Sequence, residues 1–502
     1  MPELPTQLWN RDFMKDLFRE NFKQLFYDPR HWRLPPKDIK QVQIHLLNFS
    51  PPEYDILIAA SATLGKVERT LYFYEAVIAK KELAKGERTH GKVQINESNI
   101  YFIDSFTSRR FLKKLLEMWC QGKKLDSLGF IGSFLEVTDE AKVKIKMLRP
   151  FFKPEEEATT NYLYRCKGLA KTLKGEMEFD IVIKRFLPRE PADRGNREYE
   201  IARVLPPEIV PKVHGGLVNH AFTINGKPQV LVLFINFIQD MEIGKEIWNL
   251  MEEIAHKEDE GSNHRKQLEQ LHRTVQEAID KVIFPFHQSC FNAWYPLGRT
   301  IQPQDEYHQR YYEELRKNLT TLKNAGLITE EERNKFTETF TQAWERILRD
   351  VKATEIHGDL MWRQIMKTKK GNLVILDLDE HVMGHAGKDL ADVCAANRFI
   401  AEDLPCLNKD YVRDVAENLN QLILEYYLKN AEKTKAGWID KLRETVLVYL
   451  AHRHLHDAAY YAPAWQEATD DEKRVKYRKY VDFSINWFKR SLNQLERVLR
   501  SV

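Results

Sequence analysis

The chain has 502 residues, which is too long for one compact core, so two or three domains are expected. Apolar residues make up 43% and charged residues 30%, the composition of an ordinary globular protein. The 77 Lys and Arg residues nearly balance the 74 Asp and Glu residues, which argues against a nucleic acid or an anionic membrane as partner. No stretch reaches about 18 uncharged apolar residues, so no membrane-spanning segment is predicted.

The five cysteines are scattered and form no C-x-x-C pair. This spacing argues against a disulfide framework or a zinc site and favours a reducing cytoplasm. The N-terminal segment MPELPTQLWNRDFMKDLF is charged and interrupted by prolines, so it lacks the apolar core of a signal peptide. A cytoplasmic location is therefore predicted.

Residues 1–150 have the pattern of a mixed α/β unit without an evident chemical motif. β-Branched and aromatic side chains, which are typical of strands, are concentrated in residues 54–60, 70–79 and 99–104. Apolar residues then recur at helical intervals across residues 108–119. We expect a structural cap in this region.

From residue 151 the pattern changes to strand, strand, helix, strand. Residues 180–186 form a short apolar run with one lysine, Lys184, near its end. A lysine in such a position is more often a solvated strand end than a functional group.

From residue 240 the chain is mainly helical, with long helices predicted at residues 307–322 and 330–351. The last helix carries an apolar stripe at alternating steps of three and four residues. We interpret this stripe as core packing rather than a partner-binding surface; it comprises Ile485, Phe488, Leu492, Leu495 and Leu499.

The pattern with most chemical content lies in residues 355–393, EIHGDLMWRQIMKTKKGNLVILDLDEHVMGHAGKDLADV. It places Asp359 in a short His-Gly-Asp loop, Gln364 five residues later, and Asp377 at the end of a predicted strand. A carboxylate beside a hydroxyl group can orient that group and accept its proton. Amide and carboxylate oxygens suit Mg²⁺, a hard cation that shares its coordination with phosphate oxygens. The pattern therefore predicts phosphoryl transfer, with Asp359 as the base and Gln364 and Asp377 as magnesium ligands.

The segments HGDLMWRQIM and VILDLDE resemble the catalytic block of the aminoglycoside phosphotransferase superfamily, and within it the maltokinase-like sugar kinases. Those kinases carry glutamine in an H-G-D-x-H-x-x-Q pattern, and Gln364 occupies that place. The resemblance implies an α+β, bilobal, protein-kinase-like fold with an additional N-terminal α/β cap and a large helical C-terminal lobe. The implied domains are a cap and intermediate region (1–150), a small β-rich ATP-binding lobe (151–239) and a mainly helical catalytic and acceptor-binding lobe (240–502).

The resemblance also implies the residues that bind ATP. The segment EEEATTNYLYRC resembles the family's phosphate-binding segment, with Thr160 and Asn161 at its centre. Lys184 matches the strand lysine that contacts the nucleotide phosphates, and Glu200 the glutamate of the ion pair that holds it. Residues 230–237 would form the hinge, whose backbone groups hydrogen-bond adenine.

Several positions depart from the family's pattern. Met361 stands where the family usually has histidine, and Arg363 where it usually has glycine. Asp379 is a candidate ligand of a second magnesium ion or a substrate-orienting residue, with a surface role as the alternative. Asp392 fits the family's second aspartate, for which the resemblance implies a structural role.

In superfamily members the acceptor lies over the helices of the large lobe. The implied substrate-binding candidates are Trp362, Arg363, His452, Asp457, Tyr460 and Trp465. Plainer roles remain open for each: burial for Trp362, and a solvated or paired side chain for Arg363. His452 and His456 are one helical turn apart, a spacing that can bind a metal, although packing is the commoner role. His287 resembles the helical histidine that these folds bury.

Three hypotheses about function follow. The first is an ATP- and Mg²⁺-dependent kinase whose partner is a small-molecule sugar acceptor such as maltose or glucosamine. The second is a phosphotransferase acting on an aminoglycoside or an amino alcohol. The third is a pseudokinase scaffold, which the replaced histidine and glycine motivate. A monomer or a weak homodimer is expected.

Overall fold

The structure is a computed structural model that describes residues 11–21, 39–50, 53–64, 68–78, 89–95, 98–104, 109–122, 128–132, 142–151, 161–172, 175–186, 193–224, 226–238 and 241–501. The chain divides into two compact units. Unit 1 comprises Met1–Glu200 and Lys212–Phe237, and unit 2 comprises Ile201–Pro211 and Ile238–Val502. The α+β class that the sequence predicts is confirmed, because unit 1 is built on two sheets and unit 2 mainly on helices.

Unit 1 begins with helix α1 (Arg11–Glu20), which is followed by a five-stranded antiparallel sheet. The strand order is β1-β2-β3-β5-β4. The strands are β1 (Ile39–Ser50), β2 (Glu53–Leu64), β3 (Glu68–Ile78), β4 (Thr89–Ile95) and β5 (Ser98–Asp104), and helix α2 (Arg109–Cys120) follows. All three strands and the helix predicted for this region are confirmed, and residues 79 and 108, at the ends of two of the predicted ranges, lie outside the described residues.

The second sheet of unit 1 has six antiparallel strands in the order β6-β10-β11-β9-β8-β7. Its strands are β6 (Leu128–Gly132), β7 (Lys142–Pro150), β8 (Tyr162–Thr172), β9 (Gly175–Arg185), β10 (Val213–Ile224) and β11 (Lys227–Asn236), with helix α3 (Arg194–Val204) between β9 and β10. Trp119 of α2 stacks on Phe234 of β11, with ring centroids 4.5 Å apart, and this contact lies in the core of the unit. Domain boundaries at residues 150 and 239 stay a prediction, but β6 and β7 share this sheet with strands of the expected ATP-binding lobe.

Unit 2 contains nine α-helices among the residues that the structure describes. They are α4 (Ile243–Asp259), α5 (Arg265–Ala278), α6 (Phe284–Trp294), α7 (Glu306–Asn324), α8 (Glu330–Ala343), α9 (Gly387–Asp403), α10 (Lys409–Thr434), α11 (Leu442–Glu467) and α12 (Asp471–Ser501). Single π-helical turns, Ile279–Ile283 and Trp344–Leu348, extend α5 and α8. Along α12, the predicted apolar stripe is buried at Phe488, Leu492, Leu495 and Leu499, as core packing requires.

Short strands in unit 2 position the segment with most chemical content. β13 (Thr354–Ile356) pairs with β16 (Val382–Gly384), and β14 (Ile365–Lys367) pairs with β15 (Leu373–Ile375) and with β12 (Met241–Glu242). Gly371 forms the turn between β14 and β15 with a positive φ of 80°, which favours glycine. No helix in the described ranges combines the length and the apolar character needed to cross a membrane.

Candidate active site

A buried ion pair ties strand β9 of unit 1 to helix α3. Nζ of Lys184 lies 2.5 Å from Oε2 of Glu198, and only 4% and 7% of the two side chains are exposed. The amide of Asn196 anchors the helix, since it donates to the carbonyl of Pro228 and accepts from the N–H of Val230 in β11. Lys184 is thus buried and ion-paired and is not a solvated strand end.

The prediction that Glu200 forms the ion pair with Lys184 is wrong. Glu200 forms an ion pair with Lys227 at 2.7 Å instead, and its side chain is largely solvated. Glu198 and Glu200 are two residues apart on a helix, so they point about 200° away from each other and only one can face the sheet. The signal in the sequence was helical periodicity, which places Glu198 and not Glu200 on the same face as the apolar Ile201.

Of the two residues expected to bind phosphate in place of a glycine-rich loop, one is described. Asn161 directly precedes strand β8 and is buried, with 6% of its surface exposed. Thr160 lies outside the described residues. The assignment of both residues to ATP stays a prediction.

In unit 2, the loop that carries Asp359 is held by a buried carboxylate. Asp389 accepts hydrogen bonds from the backbone N–H groups of His357 (2.7 Å) and Gly358 (3.0 Å). Gly358 has φ +89°, and a Cβ there would lie 2.7 Å from the carbonyl oxygen of Glu380, so the tight loop requires glycine. Burial raises the pKa of Asp389, but the hydrogen bonds from His287 and from the backbone N–H of His357 are among the effects that outweigh it, so the net shift of the pKa is downward.

A chain of buried side chains supports Asp389 from behind. In the tautomer that satisfies both contacts, His287 donates from Nε2 to Asp389 (3.0 Å) and accepts at Nδ1 from the hydroxyl of Tyr427 (2.7 Å). Trp438 donates to the same hydroxyl at 2.9 Å. His287 is fully buried, as the resemblance implied. Since every member of this chain has a partner, the loop rests on a rigid base.

Asp359 itself is half-open to solvent, with 45% of its side chain exposed. Its Oδ1 accepts a hydrogen bond from Nη1 of Arg453 at 2.9 Å, whereas no residue in the described part of the chain donates to Oδ2. Burial raises the pKa of Asp359, but the charges of Arg453 and Lys388 outweigh it and hold the pKa below its usual value. The geometry therefore provides an ionised carboxylate with one oxygen fixed and one available.

A hairpin brings the predicted magnesium ligands of unit 2 together. The N–H of Leu376 donates to the carbonyl of Gln364 at 2.8 Å, so Gln364 and Asp377 lie at the same end of the β14–β15 pair. Nε2 of His357 contacts the carbonyl of Leu376 at 2.8 Å, which links this end to the loop that carries Asp359. The side-chain oxygen of Gln364 already accepts the N–H of Met361 at 2.6 Å. An amide oxygen has a second lone pair, so a metal contact there remains chemically available.

Asp377 and Asp379 form the acidic part of this end of the hairpin. A carboxylate oxygen of each lies within 4.8 Å of the other, although Asp377 is exposed and Asp379 buried. Next to them, Glu355 accepts hydrogen bonds from His381 (2.8 Å) and from Tyr295 (2.7 Å), which ties β13 to the segment after Asp379. Two carboxylates at this separation can share one hard cation.

The acceptor candidates are found in contrasting surroundings. Trp362 is buried and donates from Nε1 to Asn397 at 2.7 Å, and Arg363 is exposed. His452 is buried, with its ring stacked on Tyr311 at a centroid distance of 4.9 Å. Asp457 is buried against Arg453, whereas Tyr460 is 67% exposed. Burial fits the plainer roles weighed above for Trp362 and His452. A contact with substrate stays a prediction for all six candidates, including the partly buried Trp465.

Inference from the sequence alone missed Asp389, Arg453 and Glu198. Asp389 lies in the segment GKDLADV three residues before Asp392, and no local feature distinguishes these two aspartates. Arg453 is 94 residues from Asp359, so only the tertiary fold reveals their contact. Asp392 is buried beside Lys388 (2.6 Å) and Arg453 (3.5 Å).

Comparison with protein-family models gives a match to the phosphotransferase enzyme family over residues 170–422, just over half of the chain. The chain therefore belongs to the phosphotransferase enzyme family. The match includes Lys184, Asp359, Gln364 and Asp377, and it ends before α11. Among curated proteins, none matches this sequence significantly.

Solved structures of glucosamine kinase are similar to this chain over nearly its whole length. One crystal form has a TM-score of 0.53 and 12% sequence identity, with 96% of this chain and 99% of that chain covered. A complex of glucosamine kinase with glucosamine, ADP and inorganic phosphate has a TM-score of 0.53 and 12% identity, with 95% and 99% covered. This likeness, together with the family match, confirms the predicted kinase-like fold with a β-sheet portion and a large helical portion.

Proposed function

We propose that this chain is an ATP-dependent kinase that transfers the γ-phosphate to a hydroxyl group of a sugar. The observation that carries the proposal is the state of Asp359: a half-exposed, ionised carboxylate on a loop whose backbone is fixed from behind by Asp389. A carboxylate that keeps one oxygen available is suited to orient a hydroxyl group and receive its proton.

In this proposal the reaction needs few protein groups. The acceptor oxygen forms a bond to the γ-phosphorus, the bond between that phosphorus and the β,γ-bridging oxygen breaks, and ADP leaves with the bonding electron pair. The proton of the acceptor hydroxyl passes to Asp359. Positioning and charge neutralisation supply most of the rate enhancement in such transfers.

Lys184 would bind the nucleotide phosphates, with Glu198 keeping its ammonium group in place. Asn161 and Thr160 would contribute to the phosphate-binding segment, and the backbone of residues 230–237 to adenine binding. The enclosed contact between Lys184 and Glu198 supports this arrangement, because a buried lysine needs a carboxylate partner to remain charged.

Asp377, Asp379 and Gln364 would hold Mg²⁺. All three offer oxygen atoms, and the proximity of the two carboxylates fits a divalent cation. When bound, the ion would neutralise charge on the phosphates. Because Gln364 already accepts a hydrogen bond from Met361, its share in binding is expected to be smaller than that of the two aspartates.

The acceptor that we propose is maltose, phosphorylated to maltose 1-phosphate, or a related amino sugar such as glucosamine. Two observations support a sugar. The catalytic block resembles that of maltokinase-like enzymes, and the fold likeness to glucosamine kinase extends over 96% of the chain, including residues outside the family match.

The test is an acceptor screen that measures ADP release, with maltose, glucose, glucosamine, an aminoglycoside and an amino alcohol as acceptors. We expect turnover with a sugar, and a loss of about 10²- to 10⁴-fold in Asp359→Asn. Asp414→Asn, which changes an exposed aspartate of α10, serves as the matched control and should keep full activity.

Two outcomes would contradict the proposal. Turnover confined to the aminoglycoside or the amino alcohol would exclude a sugar acceptor but keep the kinase. Binding of Mg-ATP in a thermal-shift titration without ADP release from any acceptor would favour the scaffold hypothesis.

A further inference from the structure

Arg453 of helix α11 lies in a cluster of carboxylates at the proposed base. Its Nη1 contacts Asp359 at 2.9 Å and Asp392 at 3.5 Å, and its Nε contacts Asp457 at 3.1 Å. Only 16% of the arginine side chain is exposed. The planar guanidinium group has five N–H donors in a fixed arrangement, so a single arginine can bind several carboxylates with defined geometry.

The cluster is closed on the far side of Arg453 and open only at Asp359. Asp392 is fully enclosed and also pairs with Lys388 at 2.6 Å, while 9% of the Asp457 side chain is exposed. Burial raises the pKa of Asp392 to about 6, against the lowering effect of Lys388 and Arg453. Of the three carboxylates, Asp359 is by far the most exposed, with 45% of its side chain open to solvent.

We propose that Arg453 is a positioning residue for the phosphoryl transfer: it fixes the carboxylate of Asp359 through Oδ1, so that Oδ2 is presented to the acceptor hydroxyl. This inference rests on the proposed function. Asp457 in turn fixes the guanidinium group from one helical turn further along α11. The orientation of the base is thereby set by a helix that is remote in sequence from the catalytic loop.

Arg453 also supplies a positive charge that keeps the base ionised. Removing it should raise the pKa of Asp359, because burial favours the neutral form and Arg453 exerts the largest opposing effect. Other charged or titratable groups near Asp359 and Arg453 come from the loop, from α9, from α11 and, beside His456, from α7. They are His357, Lys388, Asp392, His452, His454, His456, Asp457, Tyr461 and Glu314.

The test measures kcat and kcat/KM with the sugar acceptor across a range of pH. The proteins compared are Arg453→Gln, Arg453→Lys and the wild-type chain. Arg443→Gln is the matched control, since Arg443 is an exposed arginine of the same helix. The ratio of variant to wild type at each pH removes the titration of ATP and of unrelated groups.

For Arg453→Gln we expect kcat to fall about 10²-fold through loss of orientation. We also expect the ratio of variant to wild-type kcat/KM to fall by about a further tenfold on going from alkaline to acidic pH, because Asp359 takes up a proton in the variant. Arg453→Lys keeps the charge and should lower kcat without the extra loss at acidic pH. Arg443→Gln should follow the wild type.

A structural role alone predicts something else: Gln and Lys would lower turnover in parallel at every pH, and that result would overturn the inference. Wild-type kcat in Arg453→Gln would overturn it as well. If Arg453→Gln does not fold, Arg453→Lys provides the test, because its charge still balances the carboxylates. A wild-type kcat in Arg453→Lys would then overturn the inference. A wild-type chain inactive with every acceptor would overturn the proposed function first, and the inference with it.

Discussion

Two cation–carboxylate pairs, one in each unit, differ in how far they are open to solvent. In unit 1, Lys184 and Glu198 are enclosed, with 4% and 7% of their side chains exposed. In unit 2, Arg453 is 16% exposed and Asp359 is 45% exposed. In the first pair the two charges are enclosed against each other, whereas in the second pair one carboxylate oxygen of Asp359 remains available to a ligand.

This difference in exposure indicates which of the two ion pairs should contribute more to the stability of the fold. Removing one partner from an enclosed pair leaves an uncompensated buried charge, which is costly. Removing a partner from a half-open pair lets water solvate the remaining charge, so the loss should appear in turnover more than in stability. Measurements on four variants would test how stability depends on such buried and exposed groups.

The largest effect on stability is expected for Glu198→Ala. Because Lys184 would remain buried after losing the carboxylate of Glu198, the free energy of unfolding should fall by about 3–5 kcal/mol. Urea denaturation monitored by circular dichroism would measure this. A loss below about 1 kcal/mol would show that water reaches Lys184, and that the pair is not closed.

A smaller but still clear loss is expected for Asp389→Asn. One amide oxygen cannot replace the two carboxylate oxygens that accept from His357, Gly358 and His287, so a buried donor loses its partner. The free energy of unfolding should fall by about 1–3 kcal/mol. Turnover should also fall, because Asp389 anchors the two residues that precede Asp359 in the loop. Unfolding and ADP release measured on one preparation would separate the two effects; equal activity to wild type would contradict the anchoring role.

An acid-dependent effect is expected from His452, the neighbour of Arg453 in sequence. Burial lowers the pKa of His452 from 6.5 to about 3, so its contribution to stability is complete above pH 6.5 and is lost as the pH falls toward 3. In His452→Phe, the drop in unfolding free energy between pH 7 and pH 5 should be smaller by about 2 kcal/mol.

Denaturation at the two pH values would test this prediction. His256→Gln changes an exposed histidine of α4 and serves as the control. An identical pH dependence in the wild type and His452→Phe would contradict the predicted effect of burial.

The smallest effect is expected for Glu200→Ala. Its pair with Lys227 is solvated at both ends, and such pairs contribute below about 1 kcal/mol. The Tm of this variant should stay close to that of the wild type, in contrast to Glu198→Ala. If instead Glu200→Ala unfolds as readily as Glu198→Ala, the assignment of the ion pair in the structure is wrong.

Much of the fold and part of the site followed from the sequence, because they depend on local patterns. Strand and helix periodicity predicted β2, β3, β5, α2 and the stripe of α12. Gln364 and Asp377 were predicted to act together as magnesium ligands, and they are close enough in sequence for one short pair of strands, β14 and β15, to bring them to the same end.

The rest could not be predicted because it depends on contacts between distant segments. The partner of Asp359 lies 94 residues away, and the histidine behind Asp389 lies 102 residues away. The prediction of Glu200 is wrong for a different reason: the family resemblance points to position 200, whereas the helical phase of α3 brings Glu198 to Lys184 and leaves Glu200 with Lys227. Periodicity along α3 contained the correct answer.

The backbone of Asp377 has a consequence for which amino acids this position can accept. Asp377 adopts a left-handed conformation, with φ 64° and ψ 54°, that few side chains tolerate apart from glycine, asparagine and aspartate. Asparagine preserves the bend of the chain and removes only the negative charge, whereas alanine, valine or glutamate would first have to bear steric strain. Few single substitutions at position 377 can therefore change its charge without straining the backbone. In a library of random substitutions at this position, most variants should be impaired by that strain, whatever their affinity for a metal ion.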